Sequence, residues 1–135
     1  MFDQILKYAD LPARAGMSAI FILSGINKIG AFAATQGYME TFGLLGVFLA
    51  PTIAFEIGAG TALLLGLGAR FVALLLAGFS LVTALVFHND FGDQIQQIMF
   101  LKNVAMAGGL LLMAKTGAPG MSLYGVHAKR ATAPV

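Results

Sequence analysis

Glu56 and Lys102 are a carboxylate and an ammonium set in apolar sequence, and that setting limits what they can do. A lone charge in the middle of a bilayer costs roughly 2.5 to 3.5 kcal/mol on insertion scales, so opposite charges at one depth are driven to pair. Glu56 lies nine residues beyond Val47, and Lys102 eight residues beyond Gln94. At ~1.5 Å per residue these offsets put the two groups about 13 and 12 Å deep from one side of a membrane. The expectation is a structural ion pair, Glu56 with Lys102. Met99, Lys102, Met106, Gly109 and Met113 alternate steps of three and four, a seam that predicts Lys102 pointing into a helix bundle.

Other polar groups gather near the pair. Ser24, Asn27 and Lys28 stand at i, i+3 and i+4, Asn103 adjoins Lys102, and His88 ends an apolar run. Asn27, Lys28, Glu56, His88, Lys102 and Asn103 therefore form the candidate ligand-binding set. A few donors beside the apolar wall of Met99, Met106 and Phe87 suit a carbonyl-bearing apolar molecule such as a quinone. Against this stands a purely structural role, in which the pair ties two helices together and His88 is a solvated helix end.

The elements that must hold these groups are membrane helices. Charged residues make up 10% of the 135-residue chain, against roughly 25% in an average soluble protein, and the mean hydropathy is +0.86. A water-facing surface cannot be built from so few charges. Four spans are expected, at about 12–29, 47–67, 70–88 and 94–114, giving an all-α integral membrane four-helix bundle in a single domain, 1–135. A soluble bundle would need a polar face on each helix, yet Phe71 to Phe79 is apolar all round. The start, Met-Phe-Asp-Gln, lacks the basic segment of a signal peptide.

Local signals set the boundaries. Pro12 suits a first helical turn, Gly66-Leu-Gly68 a tight hairpin, and Asp93 with Gln96 a capping box. Phe2, Ile5, Leu6 and Ala9 could line a short helix on the membrane surface, and Phe32, Tyr38 and Phe42 suit a loop at the interface. Ala73, Ala77, Ser80 and Ala84 form a small-residue stripe that favours close packing, and 116–135 reads as loop or disordered tail. Lys7, Arg14, Arg70, Lys115, Lys129 and Arg130 share one side and Lys28 lies on the other, a six-to-one bias that predicts both termini in the cytoplasm.

Arg14, the run Ala19-Ile-Phe-Ile-Leu-Ser-Gly-Ile-Asn-Lys28, Glu56 in Ala-Phe-Glu-Ile-Gly-Ala-Gly, the Gly-Leu-Gly-Ala-Arg70 hairpin and Phe100-Leu-Lys-Asn103 together resemble the DoxX family of small four-helix membrane proteins. The resemblance covers roughly 11–114. It implies a multi-pass protein of the bacterial inner (plasma) membrane linked to redox metabolism, since relatives resemble a subunit of a thiosulfate:quinone oxidoreductase. The expected role is a subunit or accessory of a membrane oxidoreductase system, with an outer-half polar site for a quinone-like ligand and a redox enzyme partner on the cytoplasmic side. Membrane lipid is the surrounding partner, and a homo-oligomer is compatible with the pattern. The alternatives are a structural adaptor and a small proton-coupled transporter.

With no cysteine, the chain has no thiolate chemistry, and electrons need a bound cofactor or a partner; whether it is itself an enzyme stays open. No metal site is expected, because His88 and His127 fall on opposite sides, with Asp90 and Asp93 beside His88 the weaker alternative. Gly58-Ala-Gly60 and Gly66-Leu-Gly68 follow no strand and so carry no nucleotide fingerprint, and no basic stripe suits nucleic acid.

Overall fold

A computed structural model describes residues 1–118, and all its regular elements are helical. They are α1 (Phe2–Lys7), α2 (Asp10–Gly30), α3 (Phe32–Thr41), α4 (Leu49–Leu65), α5 (Ala69–Phe87) and α6 (Gln94–Thr116), with a single 3-10 turn at Gly46–Phe48 leading into α4. Three stretches, Gly46–Leu65, Ala69–Phe87 and Gln94–Thr116, are long and apolar enough to cross a membrane. A fourth span is formed if Phe2–Gly30 and Phe32–Thr41, which bend by 102° at Ala31, count together. The chain is an all-α integral membrane bundle.

The helix ends follow from local chemistry. Gly66, at φ 74°, ends α4 two residues before the expected boundary: Leu67 N–H donates to the Ala62 carbonyl at 2.8 Å and Gly66 N–H to that of Leu63 at 3.1 Å, the bonding of a Schellman cap. Asp93 caps α6 through Ile95 N–H at 2.9 Å. Its expected capping-box partner, Gln96, bonds His88 instead. The interfacial loop expected after the first span is a ten-residue helix, α3, folded back across the end of the bundle.

Packing divides the bundle into two tight pairs, α2 with α4 and α5 with α6, joined more lightly through α4 and α5. Glycine sets the α2–α4 spacing: a Cβ on Gly25 would stand 2.6 Å from Ile57 Cγ1, and one on Gly60 2.9 Å from Ile22 Cγ1. On α5 the small residues Ala73, Ala77, Ser80 and Ala84 are all buried, as their stripe predicts. The core runs through Phe21, Leu63, Leu76, Ala107 and Leu110, and a smaller cluster of Met39, Leu49 and Ile53 lies beneath α3.

Two arginines tie these pairs at one end of the bundle. Arg14, 1% exposed, donates to the carbonyls of Leu63 and Leu64 in the last turn of α4 and forms a 3.1 Å ion pair with Asp10. Arg70 Nε donates to the Ala114 carbonyl at 3.0 Å in the last turn of α6. Last-turn carbonyls have no partner inside their own helix, so each guanidinium satisfies a group that would otherwise stay bare. The shared end therefore collects Arg14, Arg70 and, in the last turn of α6, Lys115. Of the tail expected at 116–135, Thr116 still belongs to α6, and the part beyond 118, with His127, Lys129 and Arg130, lies outside the described residues.

Candidate functional site

Glu56 is central to the opposite half. It projects from the middle of α4, with a side chain 4% exposed, and a buried carboxylate requires a cation and hydrogen-bond donors. Both come from α2, where Ser24 and Lys28 lie one turn apart and face α4 across the Gly25–Ile57 contact. Lys28 Nζ stands 3.0 Å from Glu56 Oε1 and 2.9 Å from Oε2, and Ser24 Oγ donates to Oε1 at 3.1 Å. Lys28 also donates to Ser24 Oγ at 2.5 Å, closing a three-membered network. Oε2 is held by the ammonium's charge without an aligned hydrogen bond, which leaves an acceptor position on the carboxylate.

This arrangement corrects the expected Glu56–Lys102 pair. Lys102 is exposed on the outer surface of α6, and no ion pair or hydrogen bond of its side chain is found among the described residues. The inward seam of α6 passes through Met99, Asn103, Met106, Ala107 and Leu110 rather than through Lys102. Taking a step of four instead of three after Met99 turns the seam by about 100° and moves Lys102 off it. Equal depth along two helices does not imply facing sides.

A cavity of about 500 Å³ opens above the pair. Lys28, Glu56 and Ser24 form its polar floor; Phe21, Phe79, Val86, Met99 and Met106 form apolar walls; Thr35, Tyr38 and Met39 of α3 cover it. Tyr38 stacks on Phe87 at 5.8 Å between ring centroids, and Phe42 meets Phe87 edge-on at 5.1 Å, so the α3 cover is fastened to the end of α5 by aromatic contact.

The remaining expected residues divide in two. His88 and Asn103 line the cavity. One His88 nitrogen, Nδ1, is engaged by Gln96 Oε1 at 2.8 Å, and Asn103 Nδ2 donates to the Met99 carbonyl at 3.0 Å, so each retains another polar atom. Asn27 lies on the far side of α2, in a shallow groove of about 460 Å³ beside Leu23 and Ala31. Four of the six named residues, Lys28, Glu56, His88 and Asn103, thus share the cavity, while Asn27 and Lys102 do not.

The α3 residues were missed, because nothing in their spacing distinguishes a helix folded over the bundle from an interfacial loop. Thr52 and Thr83 also line the cavity. Thr83 had a legible signal, standing three residues beyond Ser80 and four beyond Phe79 in an otherwise apolar helix.

A helical bundle with long apolar helices and an ion pair buried beneath a largely apolar cavity has the architecture of an integral membrane protein. Residues 9–89 match the DoxX family profile, and the chain belongs to that family. It is similar to inner membrane protein YqjF of Escherichia coli K12, with 46% identity over 82% of this chain and 84% of the relative. A second relative, inner membrane protein YphA of the same organism, is 37% identical over 84% of this chain and 86% of its own length. No solved structure gives a significant match.

Proposed function

We propose that the chain works in the bacterial inner membrane as a ligand-binding subunit or accessory of a membrane oxidoreductase system, and that its cavity takes a quinone-like molecule. The observation that carries this is the cavity lining: one charge-compensated ammonium and several neutral polar side chains, among them His88 and Asn103, beside aromatic and methionine walls. Such pockets orient a ligand through a few polar groups and take most of their affinity from apolar contact.

In this arrangement Lys28 turns an N–H toward a ligand carbonyl while Glu56 keeps the ammonium in place. Lys28 is 26% exposed, so its head can reach the cavity without leaving the carboxylate. Asn103 and His88 are the candidates for a second carbonyl, and Phe79, Met99 and Met106 pack on the ring. A bound quinone supplies the redox chemistry; the protein's own groups bind it, orient it and keep water from it.

The basic end, with Arg14, Arg70 and Lys115, faces the cytoplasm by the positive-inside bias, which puts the cavity in the outer half and leaves the cytoplasmic face for a redox enzyme partner.

Purification in native lipid followed by mass spectrometry of small molecules tests this reading. A quinone-class molecule retained by the wild type and lost from Lys28→Met/Glu56→Gln supports it. Equal recovery from both proteins counts against it and favours a structural adaptor.

A further inference from the structure

The cavity is not the only concave surface at Lys28. The shallow groove on the outer side of α2 is lined by Ile20, Leu23, Ser24, Asn27, Lys28, Ala31 and Thr35, and four of these, Ile20, Ser24, Lys28 and Thr35, also line the cavity. Groove and cavity therefore adjoin along α2 and α3, with Lys28 in the lining of both. The groove's own surface is apolar along the stem of α2, where Ile20 and Leu23 are 48% and 58% exposed. From Ile20 to Ala31 it follows eleven residues of helix, a length of ~16 Å.

We propose that the groove is a second subsite for the same ligand, which is an amphiphile: its compact carbonyl-bearing head occupies the cavity and a single apolar chain passes Lys28 and lies along α2. This rests on the reading of the cavity as a quinone-like site and narrows it to a lipid-tailed molecule. Three features point to it. The groove adjoins the cavity through four shared residues, so a chain leaving the head beside Lys28 meets it at once. Its position on an exposed face of α2 opens it sideways to the hydrocarbon of the bilayer, where such a chain partitions. Two of the polar groups shared by the linings, Ser24 and Lys28, already bond to one another and to Glu56, so an apolar chain can cross them without stripping a bare charge of water.

The test measures equilibrium binding, in one detergent, of a tailless benzoquinone and of the same head bearing a long isoprenoid chain. Leu23→Trp and Ala31→Phe fill the groove at positions that do not line the cavity. The wild type is expected to bind the tailed compound at least about tenfold more tightly, the worth of burying a few methylene groups. Either groove variant should reduce that preference toward unity while leaving the tailless affinity within about twofold, which also certifies its fold. A preference of the same size in the variants, or no preference in the wild type that binds the tailless head, overturns the tail subsite alone. Loss of the tailless head in the groove variants overturns it as well, by placing Leu23 or Ala31 in the head site. Failure of the wild type to bind either compound overturns the cavity reading and this inference together.

Discussion

The Glu56–Lys28 pair is unequal in its two halves, and that inequality is testable. Glu56 is almost fully enclosed, whereas Lys28 keeps 26% of its side chain exposed and sits two residues from the end of α2. Removing one partner of a buried pair costs roughly 3 to 5 kcal/mol because the other charge is stranded. Lys28→Met strands the enclosed carboxylate, while Glu56→Gln leaves an ammonium whose flexible stem can carry it toward water. Thermal unfolding in detergent should therefore show Lys28→Met as the more damaging single change, with the double substitution recovering much of the loss. Simple additivity of the two losses in the double variant would show that the residues do not interact. Lys102→Met is expected to leave the unfolding temperature within a degree or two of wild type, since that side chain makes no hydrogen bond or ion pair among the described residues.

The same residues show where sequence and structure part. A buried carboxylate needing a cation was legible from Glu56 alone, as was the depth at which the cation must lie. The sequence names Lys28 as a site residue but points to Lys102 as the partner, because Lys102 matches Glu56 in depth and fits a seam on its helix. Helix α2 in fact runs to Gly30 and then turns back into α3, so Lys28 is covered rather than surfacing. The choice between a step of three and a step of four on α6 had no local signal to decide it.

Among the elements, α2 and α4 approach as closely as they do because of two glycines, and this contact positions the ion pair. Gly25→Ala and Gly60→Ala would each press a Cβ into an isoleucine side chain. Overpacking of this kind costs typically about 1 to 3 kcal/mol. Gly58→Ala, on the same helix with nothing within 4 Å, serves as the control and should be neutral or slightly stabilising. Unfolding temperatures of the three variants check this; equal values would mean that the two helices are free to move apart. At the other end of the bundle, Arg14→Leu removes the guanidinium partner of Asp10 and of the Leu64 carbonyl, an expected loss of about 1 to 3 kcal/mol in the same assay.

Three apolar spans, Gly46–Leu65, Ala69–Phe87 and Gln94–Thr116, were legible because a helix in hydrocarbon must be largely apolar, and two of the helix ends because Gly66 and Asp93 carry specific backbone chemistry. Helix α3 was not. Its sequence, Phe32–Thr41, is polar and apolar in no clear rotation, and its place is decided by the sharp bend at Ala31 and the aromatic contacts of Tyr38 and Phe42 with Phe87, all of them tertiary. The cavity cover was consequently invisible before the fold was known.

For the molecule as a whole, orientation connects the cavity to one side of the membrane. Because the chain has no cysteine, single cysteines at Asn89, beyond the end of α5, and at Leu67, in the α4–α5 hairpin, report on the two ends of the bundle. On intact cells an impermeant thiol reagent should label position 89 and leave position 67 unlabelled. Labelling of position 67 alone would reverse the orientation and put the cavity on the cytoplasmic side.

The central claim is that the cavity above the Lys28–Glu56 pair binds a carbonyl-bearing apolar head, and the affinity of a tailless benzoquinone for the purified protein addresses it most directly. The comparison is between the wild type and Lys28→Met/Glu56→Gln, which removes the ammonium donor without stranding a charge. The account predicts saturable binding by the wild type and at least about tenfold weaker binding by the double variant, the worth of one charge-assisted hydrogen bond. Equal affinity in the two proteins, or no saturable binding in the wild type, would contradict it.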